Sequence, residues 1–191
     1  MRTNILTKID TFAAGMDKRK LLNFELHRIG VEEFKALPPG DVAVVLDGIR
    51  SAHNVGSVLR TCDAFRIACV CLCGITAAPP SAEIHKSALG AEDSVSWKHY
   101  DDTMDAISEL KSAGYEIVSI EQTVGSVSLD SFVREPGRKY ALVFGNEVDG
   151  VRQDVVDASD MAIEIPQWGT KHSLNVSVAA GVILWHFRPL Q

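Results

Sequence analysis

Three apolar runs in this chain, "VAVVLD" (42–47), "ACVCLC" (68–73) and "KYALVF" (139–144), carry no polar alternation. A strand without a period-two polar face is covered on both sides, as strands are in a parallel sheet sandwiched by helices. Three further runs read as strands: "SVSW" (94–97), "YEIVSI" (115–120) and "MAIEI" (161–165). Between them lie segments with helical spacing, such as Val55, Val58, Leu59, Cys62 and Phe65, or Met104, Ile107 and Leu110 behind the capping "DDT". Strand and helix alternate, which predicts an α/β fold with a mostly parallel sheet flanked by helices on both sides.

With 191 residues, 46% of them hydrophobic, the chain suits one core domain, expected over 41–191. Residues 1–40 differ: they are charged, helical in pattern over 18–29 and ended by "LPPGD", and are expected to form an extension packed on the core. The longest apolar run, 176–187, is too short for a membrane span of roughly 20 residues, so it reads as a core helix. The N-terminus lacks the apolar stretch of a secretion signal, and the expected location is the cytoplasm. Cys69, Cys71 and Cys73 crowd into one strand with Cys62 nearby, which suits buried thiols better than a disulfide or metal site. A formal net charge of −6 excludes a generally basic nucleic-acid coat, so any polyanion site must be local. One local cluster is "DKRK" (17–20), with Lys18 and Arg19; it is either a phosphate contact or a solvated helical face.

The chain has no G-x-G-x-x-G after a strand, no Walker-type loop and no G-x-S-x-G elbow. It has instead three polar clusters, each at the C-terminal end of a predicted strand, where open parallel sheets place their ligands. They are "DGIRSAHNVGSVLRTCDAF" (47–65), "FGNEVDGV" (144–151) and "IPQWGTKHSLN" (165–175). In the first, Asn54 is placed to cap the following helix. On a wheel with Val55 at zero, Arg60 lies at about 140°, away from an apolar stripe centred at about 340°. Gly56, one turn ahead, leaves room for Arg60 to lean back toward Asn54. The other reading is an ordinary cap and a surface arginine. In the second cluster, Gly145, Glu147 and Gly150 either cradle an adenosine-like ligand or form a plain strand-to-helix loop. In the third, Ser173 or Asn175 is the expected cap of the final helix.

In order, "NVGSVLRTCDAF", "LVFGNEVDGV" and "IEIPQWGTKHSLNVSVAAGVILW" resemble the three motifs of the TrmH/SpoU family of the SPOUT superfamily, and the resemblance covers 42–187. It implies an RNA ribose 2′-O-methyltransferase that uses S-adenosylmethionine and releases S-adenosylhomocysteine, without a metal. It also implies a C-terminal trefoil knot, which general topology rules would not predict, and a homodimer with the site at its interface. By motif position Asn54, Arg60, Glu147, Ser173 and Asn175 become the catalytic set. Gly145, Asn146, Glu147, Ile165, Gln167, Ser173 and Leu174 become the donor pocket, with Glu121 bordering it. Arg50, Lys171 and His172 supply a local basic patch for tRNA or rRNA, joined by Lys18 and Arg19 if the N-terminal cluster takes part. The alternative is a non-catalytic RNA-binding or assembly protein on the same fold. Guanidinium groups stay protonated in proteins, so the arginine of the first motif suits a fixed cation at a forming alkoxide better than a general base.

Overall fold

The computed structural model describes residues 19–188, and the chain divides into two units after Gly30. In the first, the helix expected over 18–29 is reduced to one 3-10 turn, Asn23–Leu26. Glu25 accepts the Leu22 amide at 2.7 Å and both terminal nitrogens of Arg19 at 2.7 and 2.9 Å. Helices this short are marginal in water unless one face is packed. Lys18 lies outside the described residues.

The second unit begins at Val31. Its elements are α1 (Val31–Ala36), β1 (Val42–Asp47), α2 (Ala52–Ala64), β2 (Cys69–Cys73), α3 (Ala82–Ala88), α4 (Ala91–Ser94), β3 (Trp97–Tyr100) and α5 (Thr103–Ser112). They continue as β4 (Tyr115–Ile120), β5 (Val127–Ser128), β6 (Lys139–Gly145), α6 (Gln153–Ala158), β7 (Met161–Glu164) and α7 (Val176–Phe187). The strands form one seven-stranded, wholly parallel sheet in the order β3-β2-β1-β6-β4-β7-β5.

Burial explains the order. All six residues of β1 are buried, and β1 pairs with β2 on one side (Val44 with Val70) and β6 on the other (Val44 with Leu142). Val42, Val44 and Leu46 point into a core shared with α2, α3 and α7, while Ala43 and Val45 face α5 and α6. The helices therefore cover both faces, as the uninterrupted apolar runs require. At the far end of α7, Arg134 forms an ion pair with Asp41 and donates to the carbonyls of Phe187 and Arg188 at 2.9 and 3.2 Å, placing a cation at the helix C-terminus.

The run expected as a strand at 94–97 is displaced by three residues. Residues 91–94 are helical, Ser94 being buried on Asp63 Oδ1 at 2.5 Å, and the strand is the edge strand β3, whose Lys98 and His99 are exposed. An edge strand tolerates such polar residues because only one side is paired. The sequence pattern also missed α1 and the two-residue β5, both too short to establish a period. The four cysteines are free, and burial pushes the Cys73 thiol up to about 12.

Candidate active site

The carboxyl ends of β1, β6 and β7 carry the three polar clusters, and β4 adds Glu121 just past its own end. Gly145 shapes the loop after β6: a Cβ there would lie 1.9 Å from the Gly150 carbonyl carbon and 2.0 Å from the Val151 nitrogen. The loop therefore folds tightly on itself, with Asn146 and Gly150 exchanging both amide–carbonyl bonds at 3.1 Å. The Asn146 side chain accepts the Val148 and Asp149 amides at 2.9 Å each. Glu121 closes the same turn, accepting the Val151 amide at 3.1 Å and the Gln122 amide at 2.9 Å.

One line of side chains ties the clusters together. Asn175 Nδ2 donates to Asn54 Oδ1 at 3.3 Å, and Asn54 Nδ2 donates to Glu147 Oε1 at 2.8 Å. The direction follows from chemistry: an ionised carboxylate only accepts, so Asn54 turns its amino group to Glu147 and its carbonyl to Asn175. Asn175 in turn keeps its own carbonyl for the Ser177 amide at 2.9 Å, which caps α7. Partial desolvation raises the Glu147 pKa, but the bond from Asn54 and the Arg50 and Ser51 amides outweigh it and hold the carboxyl below its ordinary value.

Two expectations at the first cluster are corrected. Asn54 is not the cap of α2; Ser51 is, its hydroxyl accepting the Asn54 amide at 3.3 Å, which leaves the buried Asn54 side chain free to cross to Glu147 and Asn175. Nor does Gly56 leave room for Arg60 to reach Asn54. α3 fills that space, so a Cβ on Gly56 would meet Ser87 Oγ at 2.2 Å and the Ile84 carbonyl oxygen at 2.4 Å. Arg60 is exposed and makes no hydrogen bond or ion pair among the described residues.

Beside this line lies a pocket of about 490 Å³, within the usual range for small-molecule sites. Its walls include Glu121, Gly145, Asn146, Glu147, Ile165, Gln167, Ser173 and Leu174, every residue expected at a donor pocket, and also His172 and Asn175. Asn54, Arg60, Arg50 and Lys171 do not line it. Arg50 donates its backbone amide to Glu147 Oε2 at 3.3 Å, while its side chain, like that of Lys171, is exposed. Among the described residues no group of three or more His, Cys, Asp or Glu could hold a metal ion.

Several residues of this region escaped the sequence reading. Gln122 lines the pocket and donates to the His172 carbonyl at 2.7 Å, but nothing in its neighbourhood marks it. Glu164, Asp149 and the buried Asp47 do leave a trace, as charges that close or interrupt apolar runs. Asp47 accepts Thr103 Oγ1 at 2.6 Å and the Arg152 amide at 3.0 Å, locking β1 to the segment before α6. With Asp149 and Glu164 added to Glu121 and Glu147, the pocket walls hold four carboxylates and no Lys or Arg.

Residues 41–185 match the SpoU rRNA Methylase family. A 23S rRNA (guanosine-2′-O-)-methyltransferase RlmB of Nitrosomonas europaea is 37% identical over 146 residues, which are 74% of this chain and 54% of that protein. A tRNA (guanosine(18)-2′-O)-methyltransferase of Aquifex aeolicus is 32% identical over 76% of this chain and 67% of its own length. The chain thus spans little more than half of the Nitrosomonas relative. Among solved structures, an AdoMet-bound rRNA methyltransferase from Sinorhizobium meliloti superposes with a TM-score of 0.72 at 28% identity, over 80% of this chain and 58% of that one. The A. aeolicus TrmH/SpoU tRNA modifying enzyme gives 0.70 at 28% identity, over 82% and 77%. The matched segment carries all three strand-end clusters and the line of side chains that joins them, and the chain belongs to the SpoU rRNA methylase family.

Proposed function

We propose that the protein transfers a methyl group from S-adenosylmethionine to a ribose 2′-hydroxyl of structured RNA, either tRNA or rRNA. The observation that carries this reading is the Asn175–Asn54–Glu147 line, which joins three loops far apart in sequence beside an acid-lined pocket. That wall composition fits the donor: four carboxylates suit a sulfonium and an ammonium group and disfavour a phosphate-bearing nucleotide. Gly145, Ile165, Gln167 and Leu174 would hold the adenosyl part, largely through backbone groups, and Asn146, Glu147, Ser173 and the bordering Glu121 complete the pocket.

When bound, the donor supplies an electrophilic methyl on sulfur and leaves as a neutral thioether, so the protein's work is alignment and charge. Ser173 and Asn175, on the pocket wall, position the nucleotide, and Asn54, held from both sides, fixes the direction in which it is presented. Arg60 acts as a permanent cation that stabilises the ribose oxygen as it loses its proton, with phosphate or water as acceptor. Arg50, Lys171 and His172 lie outside the acidic pocket or at its edge and draw the RNA backbone toward it. The N-terminal Lys18 and Arg19 are a secondary contact, and Glu25 already answers the charge of Arg19.

The same reading extends to assembly. α7 packs on α2 and β6, so the chain returns to the middle of the sheet after β7, two strands away, and we take this return as the closing pass of a trefoil knot. The outer side of α7 shows Val178, Val182 and Trp185 at 52, 40 and 58% exposure, an apolar stripe suited to a second copy in a homodimer. No helix among the described residues is long and apolar enough to cross a membrane, and we place the enzyme with its RNA in the cytoplasm.

Incubation with tritium-labelled donor and bacterial RNA, followed by mapping of 2′-O-methyl sites, tests the proposal. Wild-type protein labels RNA; Arg60→Ala abolishes labelling while the Kd for S-adenosylhomocysteine stays within a few-fold. RNA binding with no transfer would identify a non-catalytic RNA-binding protein instead, and near-normal turnover by Arg60→Ala would remove that arginine from the mechanism.

A further inference from the structure

Of the chain's three tryptophans, two have partners. Trp97 donates its indole N–H to the Glu92 carbonyl at 3.3 Å. Trp185 meets Phe65 edge-on with ring centres 6.0 Å apart, and the Arg188 guanidinium lies 3.9 Å over its face. Trp168 has neither kind of partner: it is 90% exposed, with no ring contact or hydrogen bond among the described residues. An indole presents some 150–250 Å² of mostly apolar, π-faced surface, and here that face is free for a partner to stack on.

Its place in the loop narrows what that is. Between β7 and α7, Ile165 and Gln167 line the pocket and lining resumes at His172, whereas Trp168, Gly169, Thr170 and Lys171 are exposed and do not line it. These four form the outer crest of the loop. The crest is anchored behind by the bond from Gln122 to the His172 carbonyl at 2.7 Å and by the Asn175 cap. In a chain of net charge −6, residues 165–175 contain no carboxylate, and Lys171 follows three residues after the indole. One aromatic face with a nearby cation and no acid matches a base with its phosphate. A protein partner would call for a broader apolar surface on the crest.

We propose that Trp168 is a stacking platform for an unpaired base of the substrate RNA, neighbouring the nucleotide whose ribose enters the pocket, with Lys171 meeting the intervening phosphate. This rests on the reading of RNA as substrate.

The test uses full-length protein with two probes made in vitro and lacking modifications, 23S rRNA and bulk tRNA. Trp168→Ala raises the KM for the RNA that is methylated by about 5- to 150-fold, the range of ~1–3 kcal/mol per stacked base. The Kd for S-adenosylhomocysteine, measured by calorimetry without RNA, stays unchanged. Trp168→Phe recovers most of the loss, and Trp168→Leu, apolar but without a π face, does not. RNA quenches the emission that distinguishes wild type from Trp168→Phe. The slope of log K against log salt keeps its wild-type value in Trp168→Ala and falls in Lys171→Ala. An unchanged KM without quenching overturns the proposal. So does a parallel loss of S-adenosylhomocysteine binding, which would make Trp168 a pocket wall, or a change of mass in light scattering, which would make it a subunit contact. If wild type methylates RNA and Trp168→Ala matches it, stacking alone fails; if wild type neither binds nor methylates either RNA, the substrate reading fails and stacking with it.

Discussion

Gly56→Ala sets two effects of similar size against each other. Within a helix, alanine is favoured over glycine by about 0.8–1.0 kcal/mol, so propensity alone predicts stabilisation. The new methyl, however, would lie 2.2 Å from Ser87 Oγ, 2.4 Å from the Ile84 carbonyl oxygen and 3.0 Å from the Ala88 nitrogen. A rotating hydroxyl could yield, although Ser87 is held by bonds to the His53 and Ile84 carbonyls at 2.9 and 3.2 Å. The carbonyl belongs to the α3 backbone and cannot yield unless the two helices separate. Overpacking of this kind costs about 1–3 kcal/mol, and more when backbone must move. Because backbone must move here, the cost lies toward the upper end, about 2–3 kcal/mol. Less the gain of about 1 kcal/mol in propensity, the net expectation is a loss of roughly 1–2 kcal/mol, seen as a Tm lower by about 2–8 °C for a chain of this size. Thermal unfolding by circular dichroism checks it, with urea unfolding as a second measure. A Tm at or above wild type would refute the close approach of α2 and α3, and with it the reason why Arg60 points to solvent.

Asn54→Ala removes the centre of the three-residue line and should cost about 1–2 kcal/mol in urea unfolding; transfer should fall by on the order of 100-fold through misplacement, with S-adenosylhomocysteine binding within a few-fold in calorimetry. Glu147→Gln replaces a charge-assisted acceptor with a neutral one, at about 0.5–1 kcal/mol near neutral pH because the residue is exposed and water screens the charge. Because the folded pKa of Glu147 is depressed, its contribution is present above the unfolded carboxylate value and is lost as pH falls through the folded one. The Tm gap between wild type and Glu147→Gln should therefore close from pH 7 toward pH 3, and a constant gap would count against the assignment. Neutralising Arg50 and Lys171 together should lower the log–log salt slope of RNA binding by about 1.4–1.8, two phosphates' worth. If α7 forms the proposed homodimer contact, Val182→Asp on its exposed stripe should give monomers in light scattering where wild type gives dimers, with the Tm within about 2 °C, as expected for a surface position; a wild type that is already monomeric would remove the dimer from the proposal.

The sheet was legible because its strands are buried on both sides. β1 and β4 match the expected runs residue for residue, since a continuous apolar run bounded by turn residues leaves few alternatives. α7 also matches, because 176–187 is apolar all round and Asn175 precedes it. The failures share a cause: edge strand β3, the short β5, and residues 19–29 bury little, so neither a period nor a packed face marks them. The pattern likewise gave the parallel direction but not the strand order, in which β6 lies between β1 and β4; pairing is decided in three dimensions by which apolar faces meet.

Within the site, what could be read was location, and what could not was partnership. Strand ends of a parallel sheet gather polar residues whatever their chemistry, so three clusters at three ends imply one shared edge. The resemblance then supplied roles by position, and the residues assigned to a donor pocket do share one wall. Neither source indicated that Asn54 would face Glu147, 93 residues away, and Asn175, 121 residues away, rather than Arg60 on its own helix. Side-chain direction explains the difference. Ser51 takes the capping role that sequence assigned to Asn54, so Asn54 falls in the first turn of α2, buried, where its amide needs partners from other elements. Glu147, an acceptor only, then fixes which way that amide turns, while the Ser177 amide takes the Asn175 carbonyl and leaves Asn175 Nδ2 for Asn54. Asn175, at the mouth of the final helix, is thus held from both sides: by the cap it makes on its own helix, and by a line that begins at a carboxylate on another loop.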